Sequence, residues 1–274
     1  MSETLAFIGA GNMGRAIVGG LVQGGYPAAR IRVADADPGA VARLGDALGT
    51  TACTSNAQAI ADAAVVVLAV KPQQMRDVVT ALAPTLGQTR PLVLSIAAGI
   101  TTAALDNWLG GGAAIVRSMP NTPALIRRGT SALFANAAVA PAQRALADTI
   151  MGAVGQVHWL TDESLMDAVT ALSGSGPAYI FRLIEALEEA GIGLGLTPPL
   201  ARALALETTA GAAALAAGSD FSPAELRAQV TSKGGTTERA LAVLQAGGLT
   251  ELFANALAAA RDRSRSLAEE FGQS

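Results

Sequence analysis

The 274-residue chain is poor in cysteine, histidine, aromatic residues and charge. Its one cysteine, Cys53, excludes an internal disulfide and suits a reducing compartment. One cysteine with one histidine, His158, cannot furnish a His/Cys zinc site. Only 15% of residues are charged, the formal net charge is −3, and no basic stripe is visible. That argues against a nucleic-acid or anionic-membrane partner. Long apolar runs are missing as well. The longest plain one, Ala63 to Val70, falls well short of the about 20 residues a spanning helix needs. The start Met1-Ser2-Glu3-Thr4 carries no positive leader. These absences lead us to expect a soluble, cytoplasmic protein.

What is present is aliphatic. Apolar residues make up 51% of the chain and aromatics 4%, so disorder is excluded and the core is built from Ala, Val, Leu and Ile. At about 100–200 residues per domain, the length allows one large domain or two modest ones. Up to residue 160, short β-branched runs alternate with helical patterns. Leu5–Ile8, Ile31–Ala34, Val65–Val70, Leu92–Ile96 and Ala114–Arg117 read as strands. Helical stretches near 12–24, 38–48, 56–62, 72–83 and 101–109 lie between them. This is the βαβ rhythm of a parallel sheet covered on both faces. Weaker signals follow at Ser131–Phe134, Pro141–Gly152 and Gln156–Leu160. From 161 to 274 the chain reads as helices punctuated by Ser173-Gly174-Ser175-Gly176-Pro177, Thr197-Pro198, Ser222-Pro223, Gly234-Gly235 and Gly247-Gly248. We therefore expect two domains, 1–160 and 161–274.

Gly9-Ala10-Gly11-Asn12-Met13-Gly14 follows the first strand, after Ile8, and opens a helix. That is the context in which G-x-G-x-x-G binds a dinucleotide: a tight turn, a close backbone approach to pyrophosphate, and close helix–strand packing. Asp35 ends the second strand, where an acid can accept from an adenosine ribose; a turn acid in Asp35-Ala36-Asp37-Pro38 is an equal reading. Ala69-Val70-Lys71-Pro72 and Ser95-Ile96-Ala97-Ala98-Gly99 end later strands at the same sheet edge. Lys71 can equally be a surface residue at a helix start. Met119-Pro120-Asn121-Thr122-Pro123 is a stiff loop, with Asn121 available as a polar contact beside a nicotinamide or merely structural. In the helical half, Val230-Thr231-Ser232-Lys233-Gly234-Gly235-Thr236-Thr237 gathers backbone amides and hydroxyls suited to a small carboxylate. A threonine N-cap is the competing explanation. His158 reads as structural, Cys53 as buried and inert, and Asp162, Glu163 and Asp167 as a solvated helix start.

Together the glycine motif, Ala69-Val70-Lys71-Pro72, Met119-Pro120-Asn121-Thr122-Pro123, Leu172-Ser173-Gly174-Ser175-Gly176-Pro177-Ala178-Tyr179 and the Val230–Thr237 segment resemble the pyrroline-5-carboxylate reductases. Order and spacing match across nearly the whole chain. The resemblance implies an α/β protein: an N-terminal Rossmann-type doubly wound sheet followed by an all-helical dimerisation domain. It implies a homodimer, with a decameric ring of dimers as a larger assembly. It also implies hydride transfer from NADPH, or NADH, to L-pyrroline-5-carboxylate, giving L-proline. By position, Thr237 hydrogen-bonds the ring nitrogen, and the amides of Gly235, Thr236 and Thr237 hold the carboxylate, with Val230, Ser232, Gly234 and Asn121 around them. Ile8 to Gly14, Asp35, Asn56, Ala69 to Pro72, Ala97 and Ala98 line the cofactor. Relatives often carry Ser or Thr where this chain has Asp35.

The chemistry agrees independently. Reducing an imine leaves an amine that keeps its proton, so orientation and a donor to nitrogen can supply much of the rate. Two other readings stand beside this one. A β-hydroxyacid dehydrogenase would place a lysine on the helix after Gly176, and none is there. A non-catalytic dinucleotide sensor would have no use for the threonine–glycine segment.

Overall fold

The computed structural model describes residues 3–273, so Met1, Ser2 and Ser274 lie outside it. It opens β1 (Leu5–Ile8), α1 (Asn12–Gln23), β2 (Ile31–Ala34), α2 (Pro38–Leu48), β3 (Thr51–Ala52), α3 (Asn56–Ile60), β4 (Val65–Leu68), α4 (Pro72–Thr89), β5 (Leu92–Ser95), α5 (Thr102–Trp108) and β6 (Ile115–Met119). After these come β7 (Gly129–Ala135), α6 (Pro141–Gly152), β8 (Gly155–Trp159) and α7 (Met166–Val169). The remaining helices are α8 (Gly176–Gly193), α9 (Pro198–Ala217), α10 (Pro223–Gln229), α11 (Thr236–Ala246) and α12 (Leu249–Gln273).

One eight-stranded sheet has the order β3-β2-β1-β4-β5-β6-β7-β8. It is parallel throughout except where β7 runs antiparallel to β6. Strands buried on both faces explain the unbroken apolar runs. Along β1, Leu5 and Phe7 face one cluster with Ile17 and Val18 of α1, while Ala6 and Ile8 face another with Ile60 and Met75. The strand order reverses between β1 and β4, and ligands of such sheets bind at that crevice, beyond the carboxyl ends of the strands.

Two expectations need correcting. Helix α4 does not stop near residue 83; it continues through Pro84 to Thr89. A proline there costs about 3 kcal/mol. Leu86, buried beyond it on the stripe of Met75, Val79 and Leu82, returns a comparable amount, roughly 1.5–3 kcal/mol for a buried aliphatic side chain. The acidic segment is also not a solvated helix start. Only Asp162 fits that description, capping Ser164 N at 2.8 Å. Glu163 accepts from Thr102 N at 2.8 Å and from buried Arg117 at 3.0 Å, and Asp167 accepts from Ser264 Oγ at 2.7 Å.

By compactness the chain forms two units. The second is Gly176–Ala259, and the first is the rest of the described chain, ending at Ser175 and resuming at Ala260. This grouping by compactness places the end of α12 with the sheet unit. Within the second unit, α8 and α9 pack closely; a methyl at Gly191 would lie 3.3 Å from Ala201 Cβ. Helix α9 is long and apolar enough to cross a bilayer, by length and composition alone.

Candidate active site

The glycine motif is sterically determined at two positions and open at the third. Gly9 has φ +110°, and a Cβ there would lie 2.5 Å from Ala69 O. A Cβ on Gly14 would lie 2.6 Å from Gly9 O. Gly11 has nothing within 4 Å of its Cβ position, so the cradle at the start of α1 is bare backbone facing open space. No side chain caps this helix, leaving its first amides directed outward. That is the shape and polarity a pyrophosphate requires, so the residues present fit a dinucleotide.

Asp35 is committed to backbone. Its Oδ2 accepts from Ala10 N at 2.6 Å, and its Oδ1 accepts from Asp37 N at 2.8 Å. The turn reading therefore describes it, with an added duty: Asp35 ties the glycine loop to the end of β2. Asp37 caps α2 through Gly39 N, and the amides of Ala40 and Gly39 hold its carboxyl below the usual carboxylate value. Asn12, Arg15, Arg43 and Arg127 line a groove of about 350 Å³ against α1 and α2. Arg43 pairs with Asp37 at 3.3 Å, both well exposed, whereas Arg32 pairs with Asp62. Sequence reading missed Arg15 and Arg127, though Arg15 directly follows Gly14.

The β4 and β5 ends emerge beside this loop. Ala69 N donates to Ile8 O at 2.8 Å, and Lys71 is an exposed residue preceding Pro72 at the start of α4. Ala97 is buried and Ala98 half-buried after β5. Asn56 is the half-buried first residue of α3. Asn121 is used structurally: it donates to Ser173 O at 3.1 Å and accepts from Thr130 N at 3.0 Å. His158 is exposed on β8, and Cys53 is buried, with burial raising its thiol pKa.

The second unit gathers the Val230–Thr237 segment. Val230 ends α10 and Thr231 Oγ1 donates to Arg227 O at 2.6 Å. Gly234 turns at φ +73° and its amide donates to Glu238 Oε2 at 2.6 Å. Gly235 N donates to Ser232 O at 3.0 Å, and a Cβ on Gly235 would meet Ser232 Oγ at 2.5 Å. Gly235 is the N-cap of α11, and no side chain caps the helix. The threonine N-cap explanation is therefore not what the structure holds. Thr236 and Thr237 are the first two helical residues, with outward amides and with hydroxyls that have no partner among the described residues. The Gly235 amide, expected to hold a carboxylate, is already bonded, so the donors facing out are those of Thr236 and Thr237. Glu238 and Ser232 shape this turn, and sequence reading gave Glu238 no role.

Comparison with known proteins follows the same lines. The sequence matches the family model for pyrroline-5-carboxylate reductase dimerisation over residues 163–267. It matches the model for NADP oxidoreductase, coenzyme F420-dependent, over residues 4–99. It is 51% identical over 269 residues to the pyrroline-5-carboxylate reductase of Pseudomonas aeruginosa, covering 98% of each chain. The fold superposes on a pyrroline-5-carboxylate reductase from Coxiella burnetii with a TM-score of 0.95 at 45% identity, covering 98% of this chain and 99% of that one. It also superposes on the Plasmodium falciparum pyrroline carboxylate reductase with NADP bound, with a TM-score of 0.84 at 28% identity, covering 97% and 98%.

Proposed function

The chain belongs to the pyrroline-5-carboxylate reductase family, and from that premise we propose which of its residues carry the reaction. It is an oxidoreductase that reduces L-pyrroline-5-carboxylate to L-proline with NAD(P)H. The observation that carries the assignment of roles is the uncapped start of α11, where the amides and hydroxyls of Thr236 and Thr237 have no partner among the described residues.

When bound, NAD(P)H supplies the hydride. The chain's own residues hold and orient. The bare cradle at Gly11 and the first amides of α1 take the pyrophosphate, aided by the partial positive charge of the helix end. Asp35 keeps that cradle in register through Ala10. Arg43 and Arg127 offer charge to a 2′-phosphate, and Asn56 a polar contact to the ribose. Ala69 to Pro72, Ala97 and Ala98 line the cofactor with small surfaces. At α11 the Thr236 and Thr237 amides hold the substrate carboxylate, and the Thr237 hydroxyl hydrogen-bonds the ring nitrogen. The imine is reduced in its nitrogen-protonated form: as its carbon gains the hydride, the electron pair of the C=N bond moves to nitrogen and leaves a neutral secondary amine, which takes up a further proton from water. A strong protein acid is not needed, and orientation supplies much of the effect.

The same reading gives a homodimer in the cytoplasm, with a decameric ring of dimers as the larger assembly and no membrane or nucleic-acid partner. The exposed apolar side chains of α8 and α9, among them Phe181 at 59% and Leu215 at 62%, are then subunit-facing and not bilayer-facing. The β-hydroxyacid dehydrogenase reading is not favoured, since α8 carries no lysine. The test is stoichiometry. Each mole of NADPH oxidised on adding pyrroline-5-carboxylate should yield one mole of proline. No oxidation with either nicotinamide cofactor would reject the reading.

A further inference from the structure

The loop after β5, residues 96–101, is the one proposed above to line the cofactor through Ala97 and Ala98, and the inference below rests on that reading. Its two ends are tied. At the near end, Ile96 N donates to Leu68 O at 3.2 Å. At the far end, Thr102 gives both its amide and its hydroxyl to Glu163, at 2.8 Å and 2.6 Å. Glu163 is itself held by Arg117 of β6, whose side chain is only 6% exposed.

The middle of the loop is held differently. Gly99 sits at φ +77° and is buried. Its missing Cβ would fall 3.4 Å from Phe271 Cδ2 and 3.5 Å from Ala268 N. The backbone of the loop therefore lies flush against the last turns of α12. Those turns are fastened in turn: Ser264, only 4% exposed, donates to Asp167 Oδ1 at 2.7 Å. Phe271 also packs against the apolar cluster containing Ala97, Ile100 and Leu105. Nothing in the sequence pattern marks the end of a long helix as part of a cofactor site.

A glycine at positive φ has more alternative conformations than any other residue. Without a wall, such a loop samples them, and the cofactor must order it on binding. We propose that the C-terminal turns of α12 wall the cofactor-lining loop, and that Phe271 is a positioning residue acting on cofactor affinity through Gly99.

The test compares the full-length wild type with Phe271→Ala and Phe271→Leu. Three quantities are read: the Kd for NADPH by calorimetry, the KM for pyrroline-5-carboxylate at saturating NADPH, and amide hydrogen exchange in residues 96–101. Phe271→Ala should raise the NADPH Kd by roughly five- to thirtyfold, the equivalent of ordering about one residue. Exchange in 96–101 should quicken, the substrate KM should stay within about twofold, and Phe271→Leu should recover most of the affinity. An unchanged Kd and exchange rate would overturn the inference. So would an equal rise in Kd and KM, the mark of general loosening. Should Phe271→Ala lose its cooperative melt, Ser264→Ala loosens the same turns by one hydrogen bond and must move Kd and exchange in the same direction; if it moves neither, the inference fails. A wild type that binds no NADPH would instead reject the proposed function and leave the packing as found.

Discussion

At Thr237 a hydroxyl stands in the first turn of an uncapped helix, half-buried and without a partner among the described residues. Removing it takes no hydrogen bond from the fold, so Thr237→Ala should leave the melting temperature unchanged. With substrate bound it should remove a bond worth roughly 1–3 kcal/mol, about a ten- to hundredfold loss in turnover. Thr237→Ser should keep most of the rate. Equal turnover in Thr237→Ala and wild type would remove Thr237 from the mechanism. Asp35 is a different case, because both its oxygens already bond backbone amides. Its charge still lies at the end of β2, where, on the proposed reading of the cofactor site, it would favour a ribose hydroxyl over a 2′-phosphate. Asp35→Ser should therefore raise the ratio of kcat/KM for NADPH over NADH by more than twofold, measured at fixed ionic strength. A ratio within twofold of wild type means the carboxylate serves the loop alone. Residue types were legible from sequence where a motif dictates them, as at Gly9 and Gly14. Partners were not: no spacing rule says that Asp35 bonds Ala10 or that the Gly235 amide is already taken, because these depend on how turns close in space.

Helices and strands were the more readable scale. The β1 and β2 spans are as the alternation indicates, because strands buried on both faces stand out from their polar flanks. Misreadings came where packing overrides a local signal. Pro84 marks a stop that the buried stripe of α4 ignores. The π-helical turn Thr170–Gly174 between α7 and α8 is invisible to periodicity, since one extra residue in a turn leaves no compositional trace. Helix starts offer a pH test. The Asp37 carboxyl is held below its ordinary 3.8 by the amides of Ala40 and Gly39. A depressed pKa means the folded state prefers the charged form. The contribution is therefore complete above the ordinary value and is lost as pH falls through the lowered one. Asp37→Asn keeps a capping oxygen but removes the charge. Its melting temperature should lie below wild type at neutral pH, and the gap should close as the pH drops below 3.8. A gap that does not vary with pH would show that Asp37 acts only as a neutral cap.

At the scale of the molecule, the change from sheet to helices could be read in the sequence, but the return of α12 to the first unit could not. A continuous helix gives no sign of which core its last turns join. The second unit exposes Leu194 at 88% and Val243 at 72%, more apolar surface than a lone subunit keeps in water. Sedimentation at micromolar concentration should give at least twice the chain mass of 27.4 kDa. A stable, cooperatively melting monomer would contradict the dimer. The central claim, that the chain moves a hydride from a reduced nicotinamide to a ring imine, is tested most directly by isotope. Wild-type protein is given pyrroline-5-carboxylate and NADPH deuterated at the transferable position of nicotinamide C4, and the product is analysed by mass spectrometry. The account predicts L-proline carrying one deuterium at C5, the former imine carbon. Oxidised cofactor with unlabelled proline, or with no proline at all, would contradict it.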